Sequence, residues 1–184
     1  MINNILNNII DNIITKQQNV DQDKLILNTN LEGDQYKALQ SAANEWNSEL
    51  GEDIVEIRHG DASKDPSGEM DGINSITTGE LPGSPIGTTY THYKVYSKQN
   101  QGIQTQKEVD IVIEDIEDDE LFEAVALHEI GHALGAEHVL RDGAVMNPRI
   151  ESGDKGDYPT ELTKADINAV KRGNRIGEFV NKVV

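Results

Sequence analysis

His128-Glu129-Ile130-Gly131-His132-Ala133-Leu134-Gly135-Ala136-Glu137-His138 is the stretch from which the reading of this chain starts. Residues four apart on an α-helix differ by about 400° of rotation and lie on one face, one turn apart. His128 and His132 can therefore grip one ion. His138 would point elsewhere if the helix continued, but Gly135 can end it, because glycine enters the left-handed region without steric cost. A sharp turn there returns His138 to the same ion as a third imidazole. Three neutral nitrogens leave a tetrahedral divalent ion one open position, the pattern of a catalytic rather than a structural site. Glu129, next to His128, falls near that position and is not needed as a ligand. Ordinary helix histidines are the competing reading. Five specified residues at this spacing arise by chance in such a chain only on the order of once in 10⁵.

Outward from this segment, Glu117, Asp118, Asp119 and Glu120 precede Leu121 and suit the positive end of a helix dipole. A helix is expected from there to about Leu134. Upstream, Val109 to Ile113 reads as a strand after a turn-like stretch from Ser97 to Gly102, and Ile86 to Val95 as another. Gly60 to Gly83 is rich in Gly, Asp, Ser and Pro and reads as a long surface loop. Asp53 to Arg58 alternates like a strand, and the spacing of Tyr36, Leu39, Ala43, Trp46 and Leu50 predicts a helix over Asp34–Leu50 ended by Gly51. Downstream, Thr163-Lys164-Ala165-Asp166 has capping-box character and opens a helix that Gly173 is expected to interrupt. At the N-terminus, Ile2, Ile5, Leu6, Ile9, Ile10, Ile13 and Ile14 form the stripe of an amphipathic helix over residues 1–16, followed by a polar link to Lys24 and the apolar run Leu25-Ile26-Leu27.

A chain of 184 residues fits one domain of ordinary size. It has no cysteine, so disulfides and thiolate ligands are excluded and a metal must be held by His, Asp or Glu. The formal charge of −17 argues against nucleic acid as a partner and makes cationic peptides or metal ions the easier ligands. No stretch approaches the roughly 20 apolar residues that span a bilayer. Met1-Ile2-Asn3-Asn4 lacks a basic n-region, so no secretory signal is visible and the compartment stays open.

The extended pattern H-E-x-x-H-x-x-G-x-x-H at His128–His138 resembles the zinc signature of the metzincin metalloendopeptidases. Ala144-Val145-Met146-Asn147-Pro148 is similar to their Met-turn. Within that clan the chain most resembles the matrixin family, through Tyr90–Tyr93, the Val109–Ile113 strand and the Leu162–Ile167 helix start, over roughly residues 31–173. Val139 stands where matrixins usually have serine, and Asn147 where they usually have tyrosine. The resemblance implies an α+β fold: a twisted, mostly parallel but mixed five-stranded sheet with a backing helix and an active-site helix, and a small C-terminal subdomain after the third histidine. Residues 1–30 would be an N-terminal helix and linker, and 31–184 the catalytic domain, its upper part about 31–135 and its lower part about 136–184.

The function implied is a zinc-dependent endopeptidase acting on peptide or protein substrates. His128, His132 and His138 would hold the zinc, Glu129 would be the general base, and Met146 would support the site from below. The alternatives are a latent zymogen and a catalytically silent zinc-bound protein that presents the cleft or the N-terminal helix to a partner. In a zymogen without cysteine, Asp11, Asp21 or Asp23 would have to cover the metal. A second zinc on His59, Asp61 and His92 would be a partial set. Calcium on Asp61, Asp65 and Asp71, or along Glu114–Glu120, has the oxygen ligands it needs. Secretion is implied only by the family, and oligomeric state is left undetermined.

Overall fold

The computed structural model describes residues 24–98, 102–150 and 158–181. The amphipathic stretch at residues 1–16 and the carboxylates of Asp11, Asp21 and Asp23 lie outside them. In chain order the elements are β1 (Leu25–Thr29), α1 (Gly33–Leu50), β2 (Val55–His59), β3 (Ser75–Thr78), β4 (Gly87–Lys98), β5 (Gly102–Ile113), α2 (Asp119–Ala133) and α3 (Lys164–Asn181). The fold is α+β, with one five-stranded mixed sheet in the order β2-β1-β3-β5-β4. Four strands are parallel, and only β4 runs antiparallel, against β5, along the edge.

Parallel β1 and β2 need a crossover, and α1 supplies it. Its apolar side buries Leu39, Ala42, Ala43 and Trp46. Gly51, at φ 73°, ends the helix in the left-handed region. Asn47 then fastens the helix end to the strand that follows. Its side-chain oxygen accepts from the backbone N–H of Ile54 and Val55, each at 2.9 Å, and its amide donates to Val55 O at 2.8 Å.

The sheet contributes Leu27, Ile57, Ile76, Val109, Ile111 and Ile113 to the core, and α2 adds Phe122, Val125, Ala126, Leu127 and Ile130. Burying each larger side chain fully stabilises the fold by about 1.5–3 kcal/mol before entropy is charged against it. Trp46 anchors α1 to α2 by donating its indole N–H to Leu127 O at 2.9 Å. Where Asp118 caps α2, its carboxylate accepts from Glu120 N at 3.1 Å and Leu121 N at 3.0 Å, the kind of cap worth about 1 kcal/mol. This rigid pairing is what fixes the position of the histidine-bearing helix.

Three expectations are corrected. The loop from Gly60 to Gly83 contains β3, whose Ser75-Ile76-Thr77-Thr78 is paired with Asp110–Ile113 of β5. β5 begins at Gly102 rather than near Val109, so β4 and β5 form a hairpin that runs well beyond the other strands. Gly173 does not interrupt its helix, because α3 continues to Asn181. Glycine is required there by packing: a β-carbon would collide with the carbonyl of Gly135.

Candidate metal centre

The helix α2 carries His128 and His132 on one face, and at Gly135 the backbone reaches φ 91°. The chain turns back there, with Gly135 N donating to His132 O at 2.8 Å and Ala136 N to Gly131 O at 2.9 Å. His138 is thereby returned to the other two. The Nε2 atoms of His128 and His132 are 3.0 Å apart, and those of His132 and His138 are 3.2 Å apart. Zinc–nitrogen bonds of 2.0–2.1 Å at tetrahedral angles place ligand nitrogens about 3.3 Å from one another. The donor set therefore fits one such ion. Among the described residues it is the one group of three or more His, Cys, Asp or Glu that could hold a metal.

Backbone carbonyls set the orientation of two rings. His128 Nδ1 lies 2.7 Å from Val145 O, and His132 Nδ1 lies 2.8 Å from Ala136 O. A carbonyl can only accept, so each Nδ1 carries the proton and each Nε2 is left with its lone pair. Burial pushes the His128 pKa down to about 4, with the neighbouring imidazoles of His132 and His138 adding to the effect. Burial and His132 also lower that of His138. Neutral imidazoles are the forms that bind metal.

Glu129, 5% exposed, takes no part in the histidine cluster. Its neighbour is the edge strand: Thr89 Oγ1 lies 2.6 Å from Glu129 Oε2 and 3.0 Å from Glu129 O. Burial pushes the Glu129 pKa up to about 7, against the opposing hydrogen bond from Thr89. Gly87, two residues before Thr89, leaves room for the carboxylate, since a β-carbon there would stand 2.8 Å from Glu129 Oε1. Thr89 and Gly87 were not legible as site residues, because their contact with Glu129 spans 40 positions of sequence.

Met146 lies beneath the histidine helix, fully buried. The turn that carries it is closed by Asn147 N donating to Ala144 O at 3.1 Å, and is tied back by Val139 N to Met146 O at 2.8 Å. Gly131, between the two helix histidines, gives the methionine sulfur its space: a β-carbon there would meet Met146 Sδ and stand 2.8 Å from Trp46 Cζ2. A further residue holds the turn from the other side. Asp166, with no exposed surface, accepts from Met146 N at 2.8 Å and Val145 N at 3.3 Å, and also from Thr163 N at 2.8 Å in the capping box of α3. One carboxylate thus links α3 to the turn whose Val145 carbonyl orients His128.

The other expected groups are placed elsewhere. His59 stacks on Tyr36 with ring centroids 3.9 Å apart, whereas His92 Nε2 is 2.9 Å from Pro66 O and 4.0 Å from Asp110. His59, Asp61 and His92 are not brought together as a ligand set. Asp61, Asp65 and Asp71 line an open cavity of about 650 Å³ with Lys64 and Glu69, and Asp65 and Asp71 accept from the loop's own Ser67 and Ile73. In the Glu114–Glu120 run, Glu114 receives Leu81 N at 2.7 Å and Glu120 receives Tyr158 N at 2.9 Å.

Comparison with known proteins agrees with this geometry. Over 59 residues the chain is 42% identical to Metalloendoproteinase 5-MMP of Arabidopsis thaliana, a match covering 30% of this chain and 16% of that protein. The sequence pattern of the matrixins matches residues 31–173, from α1 through strands β2 to β5, the histidine helix and the methionine turn to the first half of α3. With three convergent imidazoles that could hold a metal ion, the chain belongs to the matrixin family.

Proposed function

We propose that this chain is a zinc-dependent endopeptidase, with His128, His132 and His138 as the zinc ligands, Glu129 as general base and Met146 as the support of the site. The observation that carries the reading is the convergence of three imidazoles, with Nε2 of His132 lying 3.0 Å from that of His128 and 3.2 Å from that of His138, beside a buried carboxylate that no metal-binding role requires. Zinc, when bound, acidifies a water and polarises a peptide carbonyl. Glu129 takes the proton of the attacking water and gives it to the leaving amine as the C–N bond breaks. Its pKa near 7 matches that exchange at neutral pH. Thr89 holds one carboxylate oxygen, so that the side chain keeps a single orientation through both transfers.

The substrate is positioned by the sheet. β4 is the edge strand, and its outer side offers backbone N–H and C=O groups to an extended peptide. Because Thr89 on that strand touches Glu129, a peptide added to the edge passes the general base. On this reading the cleft divides the part up to residue 135, which includes β1, from residues 136–184 below, and an appended segment would comprise only residues before Leu25.

Zinc content and cleavage of a mixed peptide library, measured together, test the proposal. Native protein is expected to bind one zinc and cleave. Glu129→Gln is expected to keep the zinc and lose about 10²–10⁴-fold in kcat. His138→Ala is expected to lose the metal. Retention of full activity by Glu129→Gln would refute the assignment of the base.

A further inference from the structure

Among the described residues four large hydrophobic side chains are exposed, and three of them stand on or beside one strand: Ile86 just before β4, and Tyr93 and Val95 within it. Single exposed apolar residues are ordinary on a soluble protein. Their concentration on the edge strand that touches Glu129 through Thr89 is not. Tyr93, 65% exposed, is the largest of them.

Strand pairing and side-chain contacts fix where its ring stands. Side chains alternate along a strand, so Thr89, Thr91 and Tyr93 share one face of β4. That face is turned to α2. Thr89 reaches Glu129, and Lys107, directly across from Tyr93 on β5, donates to Ala133 O at 3.1 Å. Ala133 is the last residue of α2. The helix therefore covers the strand beside Thr89 and stops level with Tyr93, which leaves the ring in the open. The opposite face of the strand is covered by a different segment: His92 Nε2 lies 2.9 Å from Pro66 O, in the loop before β3. Tyr93 thus stands about 13 Å along the edge from Thr89, at roughly 3.3 Å per residue, on the same side of the sheet as the general base.

We infer that Tyr93 is a specificity-determining residue, forming a subsite for an aromatic or β-branched side chain about four residues to one side of the scissile bond. This rests on the endopeptidase reading above. An extended peptide added to the outer edge of β4 places the residue opposite Thr89 beside Glu129. The residue opposite Tyr93 is four positions further, and cross-strand neighbours turn their side chains to the same face. Their β-carbons come within about 4.5–5.5 Å, close enough for an apolar side chain to pack on the ring. Aromatic and β-branched partners gain most from that contact. A second copy of the chain, paired edge to edge, is the competing occupant. The net charge of −17 opposes it, since both copies carry the same excess. A short neutral peptide meets no such barrier.

The test uses neutral peptides that share one cleavable core and carry Ile, Phe or Ala about three to five residues from the scissile bond, on either side. Zinc-loaded native protein is compared with Tyr93→Phe, which keeps the ring, and Tyr93→Ser, which removes it; at an exposed position neither change opens a cavity. Binding of the same peptides to the Glu129→Gln forms of all three is followed by fluorescence anisotropy, so the subsite is read without turnover. Native protein is expected to favour Ile or Phe over Ala by roughly two- to fivefold at one position on one side, the gain falling on KM rather than kcat. Tyr93→Phe should keep that preference and Tyr93→Ser should lose it. A preference that survives Tyr93→Ser, or no apolar preference at these positions on either side, overturns the proposal while cleavage itself upholds the endopeptidase reading. A dimer in sedimentation velocity that Tyr93→Ser dissociates, with no peptide preference, also overturns it and gives the face to a second copy. If native protein cleaves no peptide while its Glu129→Gln form still favours Ile or Phe through Tyr93, the endopeptidase reading fails and the subsite stands.

Discussion

Gly131 looks interchangeable in the sequence, since it occupies a free position of the histidine motif and alanine is the better helix former. Its surroundings reverse that preference. A β-carbon would have to displace Met146 Sδ and the Trp46 ring, both fully buried. Overpacking of this kind costs about 1–3 kcal/mol, more than the propensity gained. Gly131→Ala is therefore expected to lower stability by about that amount, measured by urea unfolding of metal-free protein. It should also weaken zinc binding, because the turn that Met146 carries is the one whose Val145 carbonyl orients His128. A variant as stable as native protein would show that the sulfur and the ring move aside without cost. The motif itself was legible because helix geometry is local, and φ 91° at Gly135 is the turn its position demanded. Thr89 and Asp166 carried no such signal, since what they do depends on elements brought together only by the fold.

At the scale of elements, β5 combines a buried charge with strand pairing. Asp110 is 1% exposed, and burial raises its pKa above the usual 3.8, against the opposing hydrogen bond from Ser75. His92 faces it at 4.0 Å. A carboxyl whose folded pKa is raised contributes stability that is fully present below its unfolded pKa and lost as pH rises through the folded one. Asp110→Asn removes that loss. Whatever constant offset the amide introduces, the stability of the variant relative to native protein is expected to rise as the pH is raised above about 4. Urea unfolding across that range checks it, and parallel profiles would show that the carboxyl titrates alike in both states. The same strand explains what the sequence concealed. Gly102–Glu108 has no apolar alternation, and β3 is four residues inside a Gly- and Asp-rich stretch. Both are strands because a neighbour accepts their hydrogen bonds, which is tertiary information. Helix α1 and the cap of α3 were legible because their signals, a buried stripe with Gly51 and the Thr163–Asp166 box, lie within a few residues.

For the whole molecule, net charge works against the fold. A net charge of −17 on 184 residues makes the compact state repel itself, and the ion pairs among the described residues, such as Lys24 with Asp53 and Glu56, Arg58 with Glu56, and Lys37 with Asp34, have at least one partner substantially open to solvent. Exposed pairs of this kind contribute about 0–1 kcal/mol each and do not offset the excess. Salt should therefore stabilise the fold. Raising ionic strength from about 0.01 to 0.15 M shortens the screening length from about 30 to 8 Å, removing long-range repulsion while leaving buried contacts alone. A gain of about 1–2 kcal/mol corresponds to roughly 2–8 °C in Tm for a chain of this size. Scanning calorimetry over that salt series is expected to show Tm moving upward. A Tm that falls with salt would mean that surface attraction, not repulsion, dominates this acidic protein.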